Sequence, residues 1–142
     1  MAQQEIQMHF NFNAPLEKVF ADLSDHVRFG EICGINVKRV KEGSGALNGL
    51  GSVRQLSIGP LPSFEETITG FEDNHSIEYK ITKGSPIKNH VGTLRFEATK
   101  DGCELFYNIK LESKIPFTTG IIKNGLKNGI SKGISKYAKR FN

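Results

Sequence analysis

The sequence predicts an α+β fold: a seven-stranded, curved antiparallel sheet wrapped around a long C-terminal helix, with two short helices after the first strand. Three observations predict it. First, Ile122, Leu126, Ile130 and Ile134 recur at every fourth residue, with Tyr137 close behind, which is one face of an α-helix. Second, most of the chain upstream alternates apolar and polar residues in short runs between turn signals, the pattern of strands with one buried face. Third, the 142 residues suit one domain, expected to span 1–142, with a single long helix to cover the inner face of all seven strands. One helix cannot fill a curved sheet of that width, so a hollow is expected between them.

Along the chain, residues 5–12 place Ile6, Met8, Phe10 and Phe12 on one face and Gln7, His9 and Asn11 on the other, a half-buried strand. Asn13 is suited to cap the helix that follows, and Pro15 to its first turn. Leu16, Val19, Phe20 and Leu23 then stand at helical spacing, and Ser24-Asp25 caps a second helical turn that runs through Phe29 and ends at Gly30. Residues 35–40 read as a strand. The glycine-rich stretch 43–51 lacks the Lys-Ser/Thr ending and the following helix of a phosphate-binding loop. A flexible hairpin loop is expected there, before a strand over 52–58.

Residues 59–63 break the chain, and 64–71, 76–82, 89–99 and 103–113 read as four more strands. Asp73-Asn74, residues 83–86 and Asp101-Gly102 supply the turns between them. Consecutive strands with short turns imply an antiparallel meander. The last helix is expected from Pro116 to about Tyr137, with the Ile122–Ile134 ridge against the sheet and Lys132 and Lys136 in solvent. Gly125, Gly129 and Gly133 run beside that ridge. Each costs a helix roughly 1 kcal/mol relative to alanine, so they predict close backbone contact or the border of a cavity.

Composition narrows the function classes. No apolar run approaches the roughly 20 residues of a membrane span, and residues 1–12 lack a signal pattern. A cytoplasmic location and no stable membrane insertion are therefore expected. Cys33 and Cys103 have no partner at metal-ligand spacing, and the four histidines are scattered, so no metal and no cofactor is expected and the thiols read as free and half-buried. The net charge is +4, yet residues 113–142 hold seven of the nineteen basic residues and none of the fifteen acids. A solvated lysine face on an amphipathic helix accounts for this, and no nucleic acid partner is expected; a basic-helix module for RNA, ribosome or membrane is the alternative.

The chain also carries a resemblance. Ala14-Pro15 before Val19-Phe20, Gly49-Leu-Gly-Ser-Val-Arg54, Glu65-Glu-Thr-Ile68, Ile77-Glu-Tyr-Lys-Ile81, and Ser85-Pro86 leading to Asn89-His90-Val-Gly92 follow the order and spacing of the START-like (SRPBCC) superfamily. The chain resembles its bacterial polyketide cyclase/dehydratase-like proteins over nearly its whole length. The resemblance implies the helix-grip fold and a ligand cavity. It implies no single catalytic set, since members include binders, carriers and enzymes.

Strand phase supplies candidates for the lining of that cavity. Phe64 and Ile68 share their phase with Glu66, Ile77 and Ile81 with Tyr79, Leu94 and Phe96 with His90, and Leu105 and Ile109 with Tyr107. Arg54 stays open, because Val53/Gln55 and Leu56/Ile58 argue for opposite phases and a bulge would settle it either way. The expected ligand-binding set is Arg54, Phe64, Glu66, Tyr79, His90, Phe96, Tyr107 and Leu126, around a cavity of roughly 300–1,000 Å³. Burial would raise the Glu66 carboxyl unless Arg54 or His90 pairs with it. His90 is a candidate proton donor or acceptor near neutral pH, or else a core histidine bonded to backbone. Asp25 and His26 are adjacent, so their side chains need not converge on a dyad.

Two functions follow. One is binding or carriage of a small hydrophobic molecule, lipid- or polyketide-like, by a monomer or homodimer. The other is cyclase/dehydratase chemistry with His90 and Glu66 as acid and base and Arg54 or Tyr79 holding an oxygen.

Overall fold

The structure, a computed structural model, describes residues 3–57, 62–85, 87–113 and 119–142. In chain order the elements are β1 (Gln4–Phe12), α1 (Leu16–Ser24), α2 (His26–Cys33), β2 (Asn36–Lys41), β3 (Val53–Ser57), β4 (Phe64–Glu72), β5 (Ser76–Lys83), β6 (Ile87–Ala98), β7 (Cys103–Ser113) and α3 (Thr119–Lys139). The strands form one antiparallel sheet in the order β1-β7-β6-β5-β4-β3-β2. β2 to β7 are a meander, and β1 adds to the free edge of β7 with Ile6 opposite Ile109 and Phe10 opposite Leu105. Register shifts at Arg39/Lys41, Glu65/Glu66, Ile68/Gly70 and Lys88/Val91 are the irregularities that bend strands and let a sheet curl over a helix.

The expected architecture is the one found. The alternation in β1 is complete, with Ile6, Met8, Phe10 and Phe12 buried. α3 packs chiefly against β1 and α2 and more lightly on β7. Ile130, Ile134 and Tyr137 are buried in that contact, whereas Ile122 and Leu126, earlier on the same ridge, are only partly buried. Lys132 and Lys136 are exposed. The expected helix start at Pro116 and the strand end at Ile58 lie outside the described residues, as do positions 59–61 and 86 of the expected breaks.

Several local expectations are corrected. α1 is capped by Pro15, in extended backbone with its carbonyl accepting from the Lys18 and Val19 amides, and not by Asn13. The Asn13 side chain donates instead to Asn142 at the far end of the chain. α2 does begin with Asp25 as its cap, accepting from the Arg28 amide at 3.0 Å, but it continues past Gly30 to Cys33. Its stop is Gly34, at a φ of 71°, a left-handed conformation that suits glycine. Gly30 sits inside the helix because a Cβ there would come within 2.7 Å of Val37 in β2.

The stretch 43–51 is the expected hairpin connection, joining the antiparallel β2 and β3, and it carries bonds of its own. Its own backbone bonds tie Gly43 to Leu47 and Ser44 to Leu50, and Gly51 donates to Ile68 of β4 at 2.8 Å. Both cysteines are fully rather than half buried.

The glycine ridge divides. Gly133 is in close contact, since a Cβ would lie 2.3 Å from the Ile32 carbonyl oxygen of α2. Gly125 and Gly129 are exposed, and a Cβ on either would meet nothing within 4 Å. They border neither a cavity nor another element among the described residues.

Candidate functional site

Neighbouring strands β3, β4, β5, β6 and β7 each send one polar side chain to the inner face: Arg54, Glu66, Tyr79, His90 and Tyr107. All are at most 6% exposed. The open phase of Arg54 resolves inward, with Arg54 and Leu56 buried and Gln55 between them only partly so. No bulge is needed, because Arg54 stands directly opposite Glu66 in the β3–β4 ladder. Its Nε and Nη2 both lie 2.8 Å from Glu66 Oε1. The guanidinium carbon sits 4.7 Å from the centre of the Phe29 ring and 4.6 Å from that of Tyr79, a cation held between two aromatic faces.

His90 reaches this group through a break in the ladder. Pairing of β5 with β6 is regular from Ser76↔Arg95 to Tyr79↔Gly92. Beyond it the β5–β6 pairs end, the register of β6 against β7 shifts between Lys88 and Val91, and Asn89 takes a φ of 51°. The Ile81 amide donates to His90 Nδ1 at 3.2 Å. An acceptor Nδ1 leaves the neutral ring's proton on Nε2, and Nε2 lies 4.0 Å from Glu66 Oε2. Gly92 matters equally, since a Cβ there would fall 2.2 Å from Cζ of Tyr79. Its missing side chain gives the Tyr79 ring its place across β6, where the Tyr79 and Tyr107 hydroxyls hydrogen-bond each other.

The electrostatics follow from burial. Burial pushes the Glu66 carboxyl above its ordinary value, and the charge and hydrogen bonds of Arg54 pull it back only in part. Burial works most strongly against the Arg54 guanidinium, but Glu66 together with Tyr79 and Tyr107 outweighs it and the net direction is up. For His90, burial and then Arg54 lower the imidazole to about 4, so it is neutral at pH 7 and a weak base. Burial raises both tyrosine hydroxyls well above their usual range and pushes the Cys33 thiol up to about 12. A second buried histidine, His26, bonds Ser52 Oγ at 2.8 Å through Nε2, while its Nδ1 has no partner among the described residues. Asp25 is occupied as a cap, so the two adjacent side chains form no dyad.

The space these groups enclose is small. A cleft of about 30 Å³ lies between them and α3, lined among others by Phe64, Glu66, Tyr79, His90, Tyr107 and Leu126. This corrects the expected size by an order of magnitude, because Phe29, Ile81 and Ile130 fill much of the interior. Phe96 is also corrected. It is buried, but its ring packs 5.1 Å from Phe20 of α1, away from the cleft. The sequence assigns no site role to Phe29, to Gly92 or to the Ile81 amide, although it places the Ile81 side chain on the inward phase. Phe29 was legible only as part of the second helical turn, and its stacking on Arg54 was not. A larger concavity, about 500 Å³, lies on the opposite face of β1, β7 and β6. It is lined by the exposed His9 and Arg95 flanking Phe106, and none of the buried polar cluster except Tyr107 borders it.

Comparison with known proteins places this geometry. No curated protein is significantly similar in sequence. Among solved structures, a protein from Nitrosospira multiformis superposes with a TM-score of 0.73 at 19% identity, covering 98% of this chain and 97% of that one. Norcoclaurine synthase from Thalictrum flavum, in complex with dopamine and hydroxybenzaldehyde, gives 0.70 at 12% identity over 99% and 89%. Ara h 8.0201 gives 0.67 at 15% identity over 98% and 99%. At these identities the likeness establishes the helix-grip fold. Residues 3–142 match the family model described as polyketide cyclase / dehydrase and lipid transport. The chain therefore belongs to the polyketide cyclase / dehydrase and lipid transport family, whose fold is of the hydrophobic-ligand-binding kind.

Proposed function

We propose that this protein binds or carries a small hydrophobic molecule, lipid- or polyketide-like, in the cleft between the first half of α3 and the inner face of β3 to β7. The observation that carries this reading is the convergence of Glu66, Tyr79, His90 and Tyr107 on the lining of an otherwise apolar cleft, with Arg54 buried beside Glu66 but outside that lining. A buried ion pair seldom adds stability over an apolar replacement, so five polar groups there suit recognition better than folding. At about 30 Å³ the cleft must widen on binding. The first half of α3 is suited to yield, because Ile122 and Leu126 are only partly buried and Gly125 and Gly129 face open space.

Titration with the apolar fluorescent probe 1-anilinonaphthalene-8-sulfonate tests this reading. Uptake with one-to-one stoichiometry is expected, and Leu126→Trp, which fills the cleft, should weaken it tenfold or more. Probe binding that is absent, or equally strong in Leu126→Trp, removes the reading.

A second reading is proton-transfer chemistry on such a ligand, with Glu66 and His90 as base and acid. The raised Glu66 carboxyl favours it. Binding is preferred because one oxygen of Glu66 is already held by two Arg54 bonds and His90 is a weak base.

A further inference from the structure

The polar end of the cleft has one unfilled position. Both Arg54 nitrogens bond the same oxygen of Glu66, Oε1. Oε2 and the His90 Nε2–H face each other at 4.0 Å, too far for a hydrogen bond. Among the described residues neither atom has a hydrogen-bond partner. Both residues are nine-tenths buried and line the cleft. Two polar atoms that border the cleft and face one another without a direct bond define a place for a bridging group.

The chemistry of that group follows from the pair. His90 is fixed as a donor by the Ile81 amide on its other nitrogen. Glu66, held by two guanidinium N–H groups, is an acceptor. The bridging atom must accept from one and donate to the other. An oxygen about 2.8 Å from each lies roughly 2 Å off the line between them, and the cleft has space for about one such atom. A carboxylate would be repelled by Glu66. A carbonyl or ether could accept from His90 but would leave Oε2 without a donor.

We infer that this end of the cleft is built for a hydroxyl group, so that the molecule it takes enters with an alcohol or phenol leading. This rests on the binding reading above and specifies its ligand.

The test compares three probes of one scaffold by calorimetry: 1-naphthol, 1-fluoronaphthalene, which matches it in size without a donor, and 1-methoxynaphthalene, which only accepts. 1-Naphthol should bind at least about tenfold tighter than either, the effect of one charge-assisted hydrogen bond. In His90→Phe, which keeps a ring but loses the donor, that preference should fall below about threefold. Equal affinities for all three probes would overturn the hydroxyl assignment while leaving apolar binding intact, as would a preference that survives in His90→Phe. Because the wild-type probe series is decisive alone, poor folding of the variant would not rescue the idea. If no probe binds and none displaces 1-anilinonaphthalene-8-sulfonate, the binding reading itself fails, and the inference with it.

Discussion

At the scale of single residues, the Arg54–Glu66 pair carries the largest consequence. The two side chains are 4% and 6% exposed, so each charge depends on the other for solvation. Removing one partner should cost about 3–5 kcal/mol by stranding a charge, while replacing both with apolar residues is often neutral. Arg54→Met should therefore lower the urea midpoint sharply, and Arg54→Met combined with Glu66→Leu should recover most of the loss. A single variant as stable as the double would mean that the pair is not coupled as its geometry requires.

His26 supplies the second residue-scale prediction. Burial, then Arg54 and Arg39, lower it from 6.5 to about 3. The unfolded chain therefore binds a proton between those values that the folded chain refuses. Stability is intact above pH 6.5 and falls as pH drops towards 3. At 1.4 kcal/mol per unit the full effect is of the order of several kcal/mol. Between pH 7 and 4, stability should fall less steeply in His26→Gln than in the wild type. His90, lowered to about 4 by burial and Arg54, with Glu66 beside it, adds a loss of the same sign to both proteins and leaves their difference intact. Parallel pH profiles would contradict the assignment.

At the scale of elements, α3 contains three glycines in two environments. Gly125 and Gly129 face open space and Gly133 touches α2. An exposed helical glycine costs about 1 kcal/mol relative to alanine, so Gly125→Ala and Gly129→Ala should each raise the melting temperature by a few degrees. Gly133→Ala should lower it, because the added Cβ falls 2.3 Å from the Ile32 carbonyl oxygen. Equal shifts in all three would show that α3 is not seated as described. The ridge that seats α3 was legible because a helix repeats its inward face at fixed spacing. The role of each glycine was not, since a missing side chain leaves no phase to read. The end of α2 escaped for a related reason: Gly30 resembles a helix stop in sequence, whereas its smallness serves contact with Val37.

At the scale of the whole molecule, strand alternation brought Glu66, Tyr79, His90 and Tyr107 to the inner face, as period two requires. It could not give cleft volume, which depends on how far Phe29 and α3 close over the sheet, nor the displacement of Phe96 under α1. Both are set by contacts distant in sequence. The same contacts divide α3 into an anchored half and an ungripped half, with Ile130, Ile134 and Tyr137 buried but Ile122 and Leu126 only partly so. Local opening follows buried apolar contact, so the two halves should differ in hydrogen exchange. Amides of residues 123–129 should exchange at least about tenfold faster than those of 130–138. Binding of 1-naphthol should slow the first group selectively, because a ligand in the widened cleft would pack against Leu126. Uniform protection along α3, with or without the probe, would mean that the helix moves as one rigid body and that entry to the cleft lies elsewhere.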